Sequence, residues 1–516
     1  MPRYSFRFDE ATISDLQSRM ESGRLTSRAL VRAYLRRIDQ IDRPGPGRVG
    51  MRAVLEVNPD AEQIAATLDS RRRAGGLLGP LHGIPVLVKD NMDTADRLHT
   101  SAGSLALVGS RPRRDATVVQ RLRAAGAVIL GKTNLSEWSN IRSPRSSSGW
   151  SGRGGQTRNP YSLDRSPSGS SSGSAAAAAA NLAAATLGTE TDGSILCPAA
   201  ACCVVGIKPT VGLTSRAGVI PIAHSQDTVG PICRTVADAA TVLGALVGPD
   251  DRDQATADSD GGLHRDYRAF LDPDGLRGAR VGIAREVYFD YSPPANRIAE
   301  EAIDVLKSCG AEVVDPADIP GAKEMAGFTG ERELDVLLYE LKHDLGAYLA
   351  ERGHRGIRGL ADVIAFNEAH ASRELQHFGQ EFFLAAQEKG PLTEPAYLEA
   401  LAANRRLSRE QGIDAVMDRE RLDALLVPTS VPPWTIDLVN GDHVLGEGST
   451  PAALAGYPAV NVPAGFAAGL PVGITFFGRA WSEPTLIRLA YAFEQATKAR
   501  RPPGFHPGGL DHKARS

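Results

Sequence analysis

Residues 166–212 constrain this chain more than any other stretch. A Gly/Ser-rich loop, Gly169 to Ser174, runs into an alanine-dominated segment, Ala175 to Leu187. A second small-residue turn, Gly188 to Ser194, leads to the apolar run Val204-Val205-Gly206-Ile207, closed by Lys208-Pro209. Alanine has the highest helix propensity, so the pattern predicts a buried helix over 174–186 and a strand after it. The segment is too short and too weakly apolar to cross a membrane. Glycine-rich loops at the two ends of such a helix can turn successive N–H groups inward, which makes an anion-binding concavity. Composition alone favours a flexible linker followed by an Ala-rich core helix.

The second informative stretch is Leu81 to Asn91. Ile84 to Val88 is a continuous apolar run, the pattern of a strand buried on both faces. Lys89 stands at its C-terminal end, where open α/β sheets place their sites. Such a lysine either snorkels to solvent or is a desolvated functional group. Residues 116–125 predict a helix, and 127–130 a strand that ends at Gly131-Lys132-Thr133-Asn134.

Elsewhere the patterning is scaffold-like. Residues 11–42 predict two helices, with Ser27 as an N-cap and Arg36 and Arg37 on the face away from Leu30, Val31 and Tyr34. A further helix starts at Asn58-Pro59-Asp60 and ends near the solvated triplet Arg71 to Arg73. Residues 143–160 read as a loop, bordering a pocket or simply on the surface, and 248–276 as a polar surface excursion. Residues 279–283, 425–429, 456–463 and 469–478 predict strands. Residues 295–310, 330–420 and 483–498 predict helices, and 501–516 a loose tail. Strands alternating with helices predict one large α/β/α domain over 1–500, with a central mixed, mostly parallel β-sheet covered by helices on both faces. Its core falls at about 60–250 and 420–500, and a more variable helical cover at about 250–420.

The net charge is −3, with no long block of like charge, so nucleic acid and anionic membranes are not expected partners. The N-terminus, Met1 to Phe6, lacks an apolar signal core, so a cytoplasmic protein is expected, monomeric or homodimeric. Cys197, Cys202, Cys203, Cys233 and Cys309 have no metal-binding spacing and read as reduced, mostly buried thiols. Cys197 is a conceivable nucleophile, but no histidine lies near it in sequence.

The order of these elements resembles the amidase signature family. That family carries G-G-S-S-G-G-S, an Ala/Gly-rich helix, G-T-D-x-G-G-S-I-R, P-A and G-x-K-P-T. Here they read Ser168 to Ser174, Gly188 to Ser194, Pro198-Ala199 and Gly206 to Thr210. The family's G-I-P-x-x-x-K-D-N matches Gly83 to Asn91, and its G-A-x-x-x-G-K-T-N matches Gly126 to Asn134. The resemblance implies a Ser–cis-Ser–Lys triad with Ser194 as nucleophile, Ser170 as relay and Lys89 as base, and makes Lys132 structural. It implies an oxyanion hole from the backbone N–H groups of Thr191, Asp192, Gly193 and Ser194, and no metal or organic cofactor.

The chemistry sets its own requirement. Amide hydrolysis needs a strong nucleophile, a base and an oxyanion site. His82, His99 and His224 lie in no hydrolase motif, and the alternative base is a neutral lysine, the role the resemblance implies for Lys89. Its ordinary pKa of about 10.4 must fall to roughly 7 to 8 through burial. Ser171 and Ser172 read as solvated loop residues, Ser174 as a helix start and Asp227 as a loop-structuring carboxylate.

Three positions depart from the family pattern: Glu190 for Asp, Asp192 for Gly and Leu196 for Arg. The combination resembles the peptide amidase branch, which removes C-terminal carboxamides from peptides. This implies a small-molecule or short-peptide amide as substrate. Other small aliphatic or aryl amides, the amidase component of a tRNA-dependent amidotransferase, and a silent binding protein on the same fold are the alternatives.

Overall fold

The computed structural model describes residues 6–45, 49–325, 331–354 and 356–508. Eleven strands form one sheet: β1 Val54–Val57, β2 Pro85–Lys89, β3 Val128–Thr133, β4 Ala185–Glu190, β5 Val205–Lys208, β6 Thr228–Cys233, β7 Arg280–Ile283, β8 Glu312–Val314, β9 Ala424–Pro428, β10 Ala459–Ala467 and β11 Leu470–Phe477. Their order across the sheet is β1-β3-β2-β4-β6-β5-β10-β11-β9-β7-β8. Every residue of β2, β3, β4, β6, β9 and β11 is buried. Successive side chains point to opposite faces, so helices must cover both.

The sheet is mixed, as expected, but not mostly parallel: four neighbouring pairs are parallel and six antiparallel. Its parallel pairs lie in two groups, β3-β2-β4 and β9-β7-β8, while the middle runs antiparallel from β4 to β9. Only one of these antiparallel pairs, β10-β11, is joined by a short connection. Ala468 and Gly469, both with positive φ, join β10 to β11 as a two-residue hairpin turn.

The alanine-rich segment folds differently from the expected single helix. Helix spans only Ser172–Ala179, and the chain then turns and returns as β4. Propensity is a weak prior here. Two buried arginines take the carbonyls that a longer helix would have used: Arg37 donates to Ala180 O, and Arg234 to Ala178 O and Ala183 O. The Asn181 side chain, at φ 57°, accepts from Glu10 N in the turn. Arg37 is therefore inside the protein rather than on the outer face of its helix. That helix is capped by the Thr26 hydroxyl, while Ser27 donates to Gly83 O.

The cover includes helices Glu331–Arg352, Leu360–Ala369, Glu381–Glu388 and Pro395–Ser408. Leu337, Leu341 and Leu345 pack with Trp138, Ile220 and Ile222, which ties the cover to loops above the sheet. Among the described residues, no helix is long and apolar enough to cross a membrane. Residues 1–5, within the stretch read for a signal core, and 509–516, within the expected tail, lie outside the described residues. From 501 to 508 the tail is bound rather than loose: Phe505 N donates to Pro160 O, and Leu163 N to His506 O.

Gly173 lets the short helix press against the sheet edge. A Cβ there would lie 2.4 Å from the carbonyl oxygens of both Ala53 and Asn134, which flank β1 and β3. Gly173→Ala is therefore expected to lower the unfolding free energy by roughly 1–3 kcal/mol, as for overpacked cores, read as a lower chemical-denaturation midpoint. An unchanged midpoint would contradict this packing.

Candidate active site

Strands β2 and β4 are parallel neighbours, so their C-terminal ends, Lys89 and Glu190, reach the same edge of the sheet. Lys89 Nζ is fully buried, 2.7 Å from Ser170 Oγ and 2.8 Å from Thr189 Oγ1. Asn91 Nδ2 also donates to Thr189 Oγ1, at 2.9 Å. Burial lowers the Lys89 pKa to about 7, against the opposing pull of Asp227 and Glu190. Lys89 thus does not snorkel.

Ser170 sits just before the Ser172–Ala179 helix, after a cis Gly169–Ser170 peptide. The helix and β4 form an out-and-back unit, so the two loops expected at opposite ends of one helix, with Ser170 and Ser194, lie at one end of it. Ser171 closes that end. Its N–H donates to Ser194 O at 3.1 Å, and its hydroxyl donates to Thr189 O and accepts from Thr189 N. Ser172 donates to Ser168 O. Both serines are fully buried, so neither serves loop solubility. Ser174 lies inside the helix and donates to Leu187 O.

Ser170, Thr191 and Ser194 line one narrow cavity with Asn91, Ser139 and Asp227. Among the described residues, the Ser170 and Ser194 hydroxyls share no hydrogen bond, and the N–H groups of Thr191, Asp192, Gly193 and Ser194 have no acceptor within the chain. Gly193 has φ 72°, and a Cβ there would lie 2.9 Å from Cys197 Sγ. Both facts require glycine.

The three departures from the family pattern find local partners. Glu190 accepts from Ile195 N at 2.7 Å and Leu196 N at 3.0 Å. Asp192 turns its carboxylate to Ser449 Oγ at 2.6 Å and Thr450 Oγ1 at 2.7 Å. Leu196 is buried in the main core. Asp227 accepts from Thr191 Oγ1, Ile222 N and Ala223 N, so it structures the cavity wall as expected. Burial pushes its pKa up to about 6.

Other candidates lie elsewhere or are inert. Lys132 Nζ donates to Met92 O and Thr100 Oγ1. Burial and the nearby Glu447 carboxylate push the Cys197 thiol well above its ordinary pKa, the opposite of what a thiolate nucleophile needs. The ring of His82 pairs with Leu68 O, that of His99 with Glu56, and that of His224 with Asp344. Loop 143–160 forms a small hairpin, Trp150–Ser151 with Gly155–Gln156, and Gly149 N donates to Ser136 Oγ beside the Ser170 loop. Sequence reasoning missed Thr189 and Asn91, which sit inside the recognised motifs. It also missed Ser449 and Thr450, whose distance along the chain leaves no local signal.

Comparison with known proteins places this geometry. A family model described as Amidase matches residues 29–487. A probable amidase of Arabidopsis thaliana is 45% identical, with 97% of this chain and 93% of the plant protein covered. A glutamyl-tRNA(Gln) amidotransferase subunit of Geobacter metallireducens is 36% identical, covering 95% of this chain and 97% of that protein. Among solved structures, native peptide amidase from Stenotrophomonas maltophilia is 52% identical at a TM-score of 0.92, covering 97% of this chain and 100% of the other.

Replacing Glu190 by Ala would leave the buried N–H groups of Ile195 and Leu196 without an acceptor, at roughly 1–3 kcal/mol each. Glu190→Ala is expected to lower the unfolding midpoint more than Glu190→Gln, which keeps an acceptor oxygen. Equal midpoints would contradict the capping role.

Proposed function

Because the chain belongs to the amidase family, we propose that it hydrolyses the C-terminal carboxamide of short peptides to a carboxylate and ammonia, through Ser194, Ser170 and Lys89. The observation that carries this reading is the buried Lys89–Ser170 contact of 2.7 Å at the mouth of the Ser194 turn. Neutral Lys89 takes the proton of Ser170 as Ser170 takes that of Ser194. Ser194 Oγ then bonds to the amide carbon. The negative charge on the carbonyl oxygen is met by the N–H groups of Thr191, Asp192, Gly193 and Ser194, whose alignment costs no reorganisation during reaction.

As the tetrahedral intermediate collapses, the C–N bond breaks. The proton held on Lys89 returns through Ser170 to the departing nitrogen, which leaves as ammonia. Water adds to the acyl-enzyme by the same relay, and the carboxylic acid is released with Ser194 restored. The residues supply each proton transfer themselves. Thr189, itself bonded by Asn91, holds the lysine in place, and Ser171 keeps the two reacting serines on one backbone clasp.

The peptide carboxamide is favoured over other amides by the likeness to solved peptide amidases, one of them in complex with the competitive inhibitor chymostatin at 53% identity. Hydrolysis of other small amides, or of glutamine within a tRNA-dependent amidotransferase, is the competing reading. The likeness to the Geobacter amidotransferase protein, at 36% identity, supports the latter less.

The test is ammonia release by the purified chain from amidated dipeptides, aliphatic amides, an aryl amide and glutamine. Peptide amides are expected to turn over fastest, and Ser194→Ala to lose at least ~10³-fold of that activity. Faster turnover of another amide would move the substrate. Activity surviving in Ser194→Ala would remove Ser194 as nucleophile.

A further inference from the structure

A second cluster of reactive side chains lies outside the amide-cleaving machinery, where the loop carrying Ile220, Ile222 and Asp227 meets the Glu331–Arg352 helix. His224 projects from the loop. Glu340 and Asp344 project from the helix, four residues apart and therefore on one face. One ligand atom from each of the three lies within 4.8 Å of the other two. His224 Nδ1 is 2.8 Å from an Asp344 oxygen, and its Nε2 is 3.4 Å from a Glu340 oxygen.

The carboxylates are held in place by neighbours, two of which, Tyr397 Oη and His224 N, bond the same oxygens that face the imidazole. Glu340 accepts from Tyr397 Oη at 2.7 Å and from Ser225 N at 3.0 Å. Asp344 accepts from His224 N at 2.9 Å, and its other oxygen faces His343 Nδ1, also at 2.9 Å. Outer partners of this kind orient metal ligands and set their basicity. The Glu340 side chain is fully buried, whereas that of His224 is 44% exposed, which leaves a route from solvent to the cluster.

We propose that His224, Glu340 and Asp344 bind one divalent transition-metal cation of the zinc class. An imidazole with two carboxylates is a borderline donor set that suits zinc, cobalt or nickel. It offers too few oxygens for calcium, which takes six to eight. Two carboxylates neutralise the dication, and three protein ligands leave a position for water. The site is not catalytic. A bound cation would join the loop that walls the Ser194 cavity to the cover helix, so occupancy would fix the position of Ile222 and Asp227. Without metal, the same groups form a histidine–carboxylate network.

The test uses the full-length chain, stripped with a chelator and then dialysed against zinc chloride, with cobalt(II) as a spectroscopic probe. The expected result is one zinc retained per chain, intense cobalt d–d absorption from a low-coordinate site, and a thermal midpoint raised by zinc. Affinity is expected to fall by at least ~10-fold in His224→Ala, His224→Gln and Asp344→Asn, with the zinc-dependent rise in midpoint lost. His224→Gln keeps the bulk of the loop contact if His224→Ala loosens it. Failure of the wild-type chain to retain zinc would overturn the proposal, as would retention undiminished in His224→Gln and Asp344→Asn.

Discussion

A lysine taken wholly out of water loses hydration that no single hydroxyl replaces, and the neutral amine becomes accessible near pH 7. Lys89 is in that position. Two carboxylates, Asp227 and Glu190, pull its pKa up, yet burial wins and leaves it at about 7. The carboxylates are satisfied elsewhere, Asp227 by Thr191, Ile222 and Ala223, and Glu190 by Ile195 and Leu196. Neither is hydrogen-bonded to the lysine. Thr189 and Ser170 are the groups that touch it, and both are neutral.

The architecture supports this one contact. β2 delivers Lys89 because both of its faces are covered, and β4 runs parallel beside it to deliver Thr189. The turn after Ala179 makes β4 possible, and it is held by Arg37 and Arg234 from elements distant in sequence. Ser449 and Thr450 then anchor Asp192 from below the turn that carries Ser194. The site is thus assembled from segments far apart in the chain, with the sheet as their common frame.

Much of this was legible in the chain itself. Five apolar residues before Lys89 announced a doubly buried strand, and the glycine-serine motifs marked both loops that carry the proposed catalytic serines. The alanine run misled because alanine favours helix in isolation, and nothing local reports that buried arginines will claim its carbonyls. Arg37 looked solvent-facing for the same reason: its acceptor, Ala180 O, lies 143 residues away. Ser171 and Ser172 looked like solubilising loop residues because burial of a serine depends on partners such as Thr189, which only the folded sheet brings close. The sheet was read as mixed and mostly parallel, whereas its centre is antiparallel, because most of the central pairs join strands distant in sequence, such as β5 with β10, whose pairing no local signal reports.

The most direct test of the account is the pH dependence of kcat/KM for a peptide amide between about pH 5 and about pH 10. A base with a lowered pKa is protonated and idle below it, so kcat/KM should rise with unit slope to a plateau above pH about 7. The rising limb should vanish, with most of the activity, in Lys89→Met. A limb centred near the ordinary lysine value of about 10.4, or activity and profile unchanged in Lys89→Met, would contradict Lys89 as a neutral base.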